Sequence, residues 1–222
     1  MKKWTLLEET TGPNGSKITL HSHDSDYAIR VNGRELMSSR HHYSEEQLAQ
    51  VACSPFGGKI RAHVLIGGLG LGFTLRKALS LLGPDSRVTV AEILPEIVAW
   101  NQNPAYQLAG DSLADPRTQV EMGDVAEIIK KNSSAFDAIM LDADNETTAM
   151  NTSGNSSLYE SHGLAQVYQA LRPHGVAVYW SAGADPHFAK KMGRSGFKVE
   201  TQRARISPTS NGTHFLYIGR RS

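Results

Sequence analysis

The chain has 222 residues, 40% hydrophobic and 20% charged, with 23 Lys+Arg against 22 Asp+Glu. This balance excludes wholesale disorder, which needs low hydrophobicity with high net charge. A net charge of +1 leaves no electrostatic footprint for a nucleic-acid partner. No apolar run approaches the roughly 18 residues that would span a membrane.

The basic start is interrupted by Glu8 and Glu9 before the apolar stretch of a secretory signal could form. Trp4–Glu8 and Lys17–His21 are predicted strands flanking the turn Gly12-Pro13-Asn14-Gly15. Tyr27–Val31 is a third, ended by Asn32-Gly33, a strong hairpin signal, and Glu35–Met37 returns as a short fourth. Ser44, with Gln47 three residues on, reads as a capping box. It opens a helix that runs to about Cys53 and stops at Pro55-Phe56-Gly57-Gly58. Residues 1–58 therefore read as a short antiparallel β extension with a junction helix. Cys53 is the only cysteine, so no intrachain disulfide forms. It is expected to pack as a small apolar residue in a reduced, cytoplasmic setting.

From residue 59 to 222 strands and helices alternate. Strands are predicted at His63–Ile66, Arg87–Ala91, Thr118–Glu121, Phe136–Leu141 and Gly175–Trp180. Between them lie helices at Phe73–Leu82, Pro95–Asn101, Val125–Lys131 and Ser161–Leu171. Asp185-Pro186 caps and starts another helix. Phe197–Arg203 and His214–Ile218 follow with no helix between them. The pattern implies an α/β, Rossmann-like, mostly parallel sheet with helices on both faces and an antiparallel edge strand. The paired basic residues Lys130-Lys131, Lys190-Lys191 and Arg220-Arg221 read as solvated element ends. Residues 143–157 form a long polar stretch expected to act as a lid.

The chemistry concentrates at four strand ends. His63–Ile66 runs into Gly67-Gly68-Leu69-Gly70-Leu71-Gly72. Such a turn lets backbone approach a ligand, and the following helix offers free N–H groups. The spacing is G-x-G-x-G rather than the G-x-G-x-x-G of dinucleotide enzymes. A tight strand–helix turn without a ligand would look the same. Glu92-Ile93 ends the next strand, 24 residues after Gly68, where an acid about 20 residues on binds ribose hydroxyls. Gly123-Asp124-Val125 ends the third strand; Asp124 either contacts a base or only caps a helix. Asp142 ends the fourth. Ligands bind at the carboxyl ends of such strands, so these groups should share one crevice.

The order VLIGGLGLG, VAEILPEIV, VEMGDV and FDAIMLDADN resembles the nucleoside-binding domain of spermidine synthase-like proteins, within the class I methyltransferase fold. The resemblance extends to Val31-Asn32-Gly33, Tyr43-Ser44-Glu45, Leu158-Tyr159 and Leu171-Arg172-Pro173-His174-Gly175, covering about residues 25–205. It implies that Glu92 binds ribose, that Asp124 binds the adenine amino group, and that Asp142 is the base or holds the reacting amine. It implies cofactor contacts at Gly67, Gly68, Leu69, Gly70, Gly72, Glu92, Ile93, Gly123, Asp124, Val125 and Asp142. Tyr43, Asp144, Asn145 and Trp180 become substrate candidates. Three departures stand out. Aminopropyltransferases of this family carry an aspartate in the glycine turn that holds the donor's amine, where this chain has Gly70. Their D-[ST]-[ST]-D-P stretch reads Asp142-Ala143-Asp144-Asn145-Glu146, and their tyrosine–histidine–glutamate reads Tyr43-Ser44-Glu45.

The expected activity is a transferase using S-adenosylmethionine or its decarboxylated form as co-substrate. It moves an alkyl group to a small acceptor, an amine being the one that suits an acidic mouth of Asp142, Asp144 and Glu146. Without a carboxylate at Gly70, methyl transfer ranks above aminopropyl transfer, the alternative, because a lone donor ammonium would lack a partner. A non-catalytic nucleoside-binding protein is the further alternative, and an NAD oxidoreductase is disfavoured by the glycine spacing and Asp124. No metal is expected, since His41-His42 alone offer too few convergent ligands. Neither nucleic acid nor membrane is an expected partner; a homodimer is compatible with the sequence.

Overall fold

A computed structural model describes residues 3–106, 108–142 and 157–222. β1 (Thr5–Thr11), β2 (Lys17–His23), β3 (Asp26–Val31) and β4 (Arg34–Ser38) form a four-stranded antiparallel sheet in chain order. The β3–β4 turn places both Asn32 (φ 50°) and Gly33 (φ 81°) in left-handed backbone, as a two-residue hairpin turn of the primed type requires. Ile18, Leu20, Ile29 and Val31 are buried and join the same core as Val64, Val88, Val90, Met140 and Val178 of the larger sheet.

α1 (Tyr43–Cys53) links the two sheets, burying Leu48, Ala49, Ala52 and Cys53. Its N-cap is His42, with no side-chain cap bond. The expected capping box is therefore absent. Ser44 sits inside the first turn and its hydroxyl donates to Glu45 Oε2 at 2.7 Å, while the Gln47 amide donates to the Tyr43 carbonyl. A buried carboxylate has claimed the hydroxyl that would have capped the helix. Cys53 is wholly buried, and burial pushes its thiol pKa up to about 12. It is the packing residue the sequence suggests.

The larger sheet comprises β5 (His63–Gly67), β6 (Arg87–Glu92), β7 (Thr118–Met122), β8 (Phe136–Leu141), β9 (Leu171–Ser181), β10 (Lys198–Arg205) and β11 (Thr213–Arg220). Its order is β10-β11-β9-β8-β5-β6-β7. Five strands pair in parallel. β11 runs antiparallel to both β9 and β10, so the antiparallel strand lies one in from the edge. The helices are α2 (Phe73–Leu81), α3 (Pro95–Gln102), α4 (Gly110–Ala114), α5 (Val125–Lys131), α6 (Ser161–Ala170) and α7 (Pro186–Arg194). α4 was not anticipated: it buries no residue and so carries no amphipathic signal. Asp185 caps α7 as predicted, accepting from the N–H groups of His187 and Phe188. No helix among the described residues is long and apolar enough to cross a membrane.

At the amino ends of β5 and β8, buried Asp137 ties the chain together. It accepts from Lys59 Nζ (2.5 Å), Arg172 Nη1 (2.7 Å) and the His63 N–H (2.8 Å). The His63 ring packs on Phe136 and meets Thr89 Oγ1 at 3.0 Å. Burial, with Arg87 and Arg172 nearby, lowers its pKa to about 4. The unfolded chain therefore takes up a proton near pH 6.5 that the folded chain refuses until about pH 4. His63 should cost stability as pH falls through that window, by about 1–2 kcal/mol given solvent screening at the ring edge. Thermal melts of the wild type and His63→Asn across pH 4–7 should converge at the acidic end relative to neutral pH. A constant gap would show that His63 does not titrate there.

Candidate active site

One cavity opens at the carboxyl ends of β5, β6, β7 and β8. β5 pairs with both β6 and β8, so this is the point where the chain reverses its direction across the sheet, the expected place for a ligand. Gly67, Gly68, Leu69, Gly70 and Gly72 line it, with Glu92 and Ile93, Gly123, Asp124 and Val125, Asp142 and Trp180. The structure thus brings together every predicted cofactor residue.

The glycine turn is built from below. The Gly68 N–H donates to the Ala91 carbonyl and the Gly72 N–H to the Leu69 carbonyl. Gly68, Gly70 and Gly72 all have positive φ (92°, 54° and 78°). A Cβ on Gly68 or on Gly123 would meet no protein atom within 4 Å. Bare backbone thus faces the cavity at both positions, a cradle that admits a planar ligand closely. Asn101, buried on α3, clamps the turn: its Nδ2 donates to the Gly70 carbonyl at 2.8 Å and its Oδ1 accepts from the Ala109 N–H at 3.1 Å. Sequence reading missed Asn101, because one polar residue near a helix end carries no signal of what it holds.

Glu92 is buried. Its Oε2 accepts from the Leu69 N–H (2.9 Å) and its Oε1 from Ile93 (2.8 Å) and Leu94 (3.0 Å). Burial raises its pKa, and these N–H groups oppose the rise. The carboxylate therefore braces the turn as well as facing the cavity. Asp124 Oδ1 accepts from the Ala126 N–H at 2.8 Å. It caps α5 and lines the cavity at once, so its two readings are compatible. Asp142 is half-buried at the end of β8.

Other expectations changed. Tyr43 does not line the cavity; Glu45, on the same helix, does. Two residues apart on a helix is about 200° of rotation, so only one of the pair can face the ligand. Trp180 does reach the cavity. Asp144 and Asn145, with Glu146, fall outside the described residues, as does nearly all of the segment 143–157. His42 stacks on Phe73 with ring centroids 4.1 Å apart, and its Nδ1 donates to the Ser39 carbonyl. Among the described residues no cluster of three possible metal ligands occurs. Against the glycine turn, a Cβ on Gly70 would lie 2.6 Å from Met37 Cε and Sδ. The Met37 thioether occupies the space a side chain at position 70 would need.

The whole chain resembles solved spermidine synthases. One from Thermotoga maritima superposes with a TM-score of 0.75 over 98% of this chain and 72% of its own, at 17% identity. A spermidine synthase in complex with the transition state analogue AdoDATO gives a TM-score of 0.74 with the same coverage and identity. A polyamine aminopropyltransferase from Sulfolobus acidocaldarius is 28% identical over 116 residues, which is 52% of this chain but only 37% of that protein. The spermine/spermidine synthase domain matches residues 42–197, a span that takes in the glycine turn, Glu92, Asp124 and Asp142. On that match the chain belongs to the spermine/spermidine synthase family.

Proposed function

We propose that this chain is an aminopropyltransferase, using decarboxylated S-adenosylmethionine and a small amine acceptor. The observation that carries the reading is a cavity with bare glycine backbone, a braced Glu92, Asp124 and Asp142, in a chain of this family. The similar proteins favour aminopropyl transfer over the methyl transfer that Gly70 had suggested. In this reading residues 59–222 hold the nucleoside, and residues 1–58 wall the alkyl chain.

Glu92 accepts the ribose hydroxyls through the lone pairs its three N–H donors leave open. Asp124 accepts from the adenine amino group. The acceptor's nitrogen lone pair attacks the methylene carbon bound to sulfur. The C–S electron pair returns to sulfur, leaving the neutral thioether methylthioadenosine. The nitrogen's proton passes to Asp142, in keeping with a general base worth about 10²–10⁴ in rate. Alignment of the two reactants contributes about 7–11 kcal/mol more.

Mass spectrometry of reactions with each donor and a pool of small amines tests this. The expected product is heavier by an aminopropyl group, with methylthioadenosine released, and Asp142→Asn should lower kcat by about 100-fold or more. A product heavier by a methyl group would restore the methyl-transfer reading. No product from either donor, with nucleoside still bound, would favour a binding protein without chemistry.

A further inference from the structure

The N-terminal unit closes the cavity with Ile29 of β3, Leu36 and Met37 of β4, and Glu45 of α1. All but one of these are apolar. Glu45 is only 8% exposed, and a carboxylate so buried needs a compensating partner. Its Oε2 accepts from the Ser44 hydroxyl at 2.7 Å. That hydroxyl has a single proton, so at 3.1 Å His214 Nδ1 must be the donor to Ser44 Oγ. The His214 ring in turn packs edge-on against Trp180, centroids 4.5 Å apart. Trp180, His214, Ser44 and Glu45 thus form one connected wall. It orients the carboxylate but brings it no positive charge by hydrogen bond.

We propose that Glu45 receives the primary ammonium of the alkyl chain carried by the nucleoside. The inference rests on the aminopropyl reading and deepens it. An ammonium entering an apolar pocket is costly unless it meets an opposite charge. The glycine turn offers none, since residue 70 has no side chain and Met37 fills its space. Glu92 is braced by three N–H groups and Asp124 by its helix cap. Asp142, at the end of β8, is the base proposed for the acceptor. Glu45 is the remaining acidic residue that lines the cavity among the described residues. Burial lifts its pKa, and an arriving cation would favour its ionised form. The Phe73 and Trp180 rings that line the same cavity suit a cation as well.

The test compares two thioethers of 5′-deoxyadenosine by titration calorimetry, one bearing 3-aminopropyl and the other the uncharged butyl chain of equal length. The wild type should prefer the amine by at least about 10-fold. Glu45→Gln should bring that ratio close to one while leaving butyl affinity at its wild-type value, and Asp142→Asn should keep the preference. If Glu45→Gln does not fold, Glu45→Asp serves, with a reduced ratio expected. A preference that survives in the Glu45 variant, or that vanishes in Asp142→Asn alone, overturns the assignment while leaving aminopropyl transfer standing. Failure of the wild type to bind either thioether would overturn the nucleoside site itself.

Discussion

Glu92→Ala should weaken nucleoside binding by about 3 kcal/mol, roughly 100-fold, and lower the melting temperature as well. From the sequence alone, losing charge-assisted bonds to ribose would account for about 1.5–3 kcal/mol. The structure adds a second cost. Three N–H groups, on Leu69, Ile93 and Leu94, lose their acceptor together, so the glycine turn loosens even without ligand. Glu92→Gln should not rescue either property. An amide keeps one acceptor end and turns NH₂ toward donors at the other, where like meets like. Calorimetry with methylthioadenosine, beside thermal melts, separates the two effects. Wild-type affinity in Glu92→Ala would remove this residue from the ribose site.

Gly72→Ala is the second large effect expected. Position 72 has φ +78°, and its new Cβ would overlap the Cβ of Ala109. Left-handed backbone costs an alanine about 1–2 kcal/mol, and overpacking adds about 1–3. A total near 2–5 kcal/mol should lower the melting temperature by about 5–15 °C in a domain of this size. Nucleoside affinity should fall with it, since Gly72 begins α2, whose first residues Phe73 and Thr74 line the cavity. Gly68→Ala is the contrast. Its Cβ meets open space in the protein, so folding bears only the left-handed strain of φ +92° without the overlap, and the loss should fall more on binding. A Gly72→Ala protein with an unchanged melting point would mean that Ala109 moves aside freely.

The legible parts of this chain were those where one force dominates. β8 was readable to the residue because a strand buried on both faces is a nearly continuous apolar run: Phe136 to Leu141 are all buried, and Asp137, the one polar residue among them, is held by Lys59, Arg172 and the His63 N–H. α5 was readable because Asp124 caps it and its apolar stripe is complete. The four strand ends were readable because topology brings them to one cavity. What escaped depended on contacts far apart in sequence. Ser44 looks like a cap until Glu45 and His214, 170 residues away, claim its hydroxyl. Glu45 looks like a solvated helix acid until tertiary packing buries it. Its one local signal is that it follows Tyr43 and Ser44 where the family pattern also has a glutamate. Asn101 and α4 work through the Ala109 backbone, which no periodicity reports.

Met37 and Gly70 also constrain the order in which this site could change. A Cβ at position 70 would lie 2.6 Å from the Met37 thioether, the far end of a flexible side chain, so an aspartate arriving there first would have to turn Met37 aside. The same aspartate arriving after Met37 had become alanine or serine would find room. The two positions are therefore coupled: while Met37 stands over the turn, a side chain at position 70 and the thioether compete for one space.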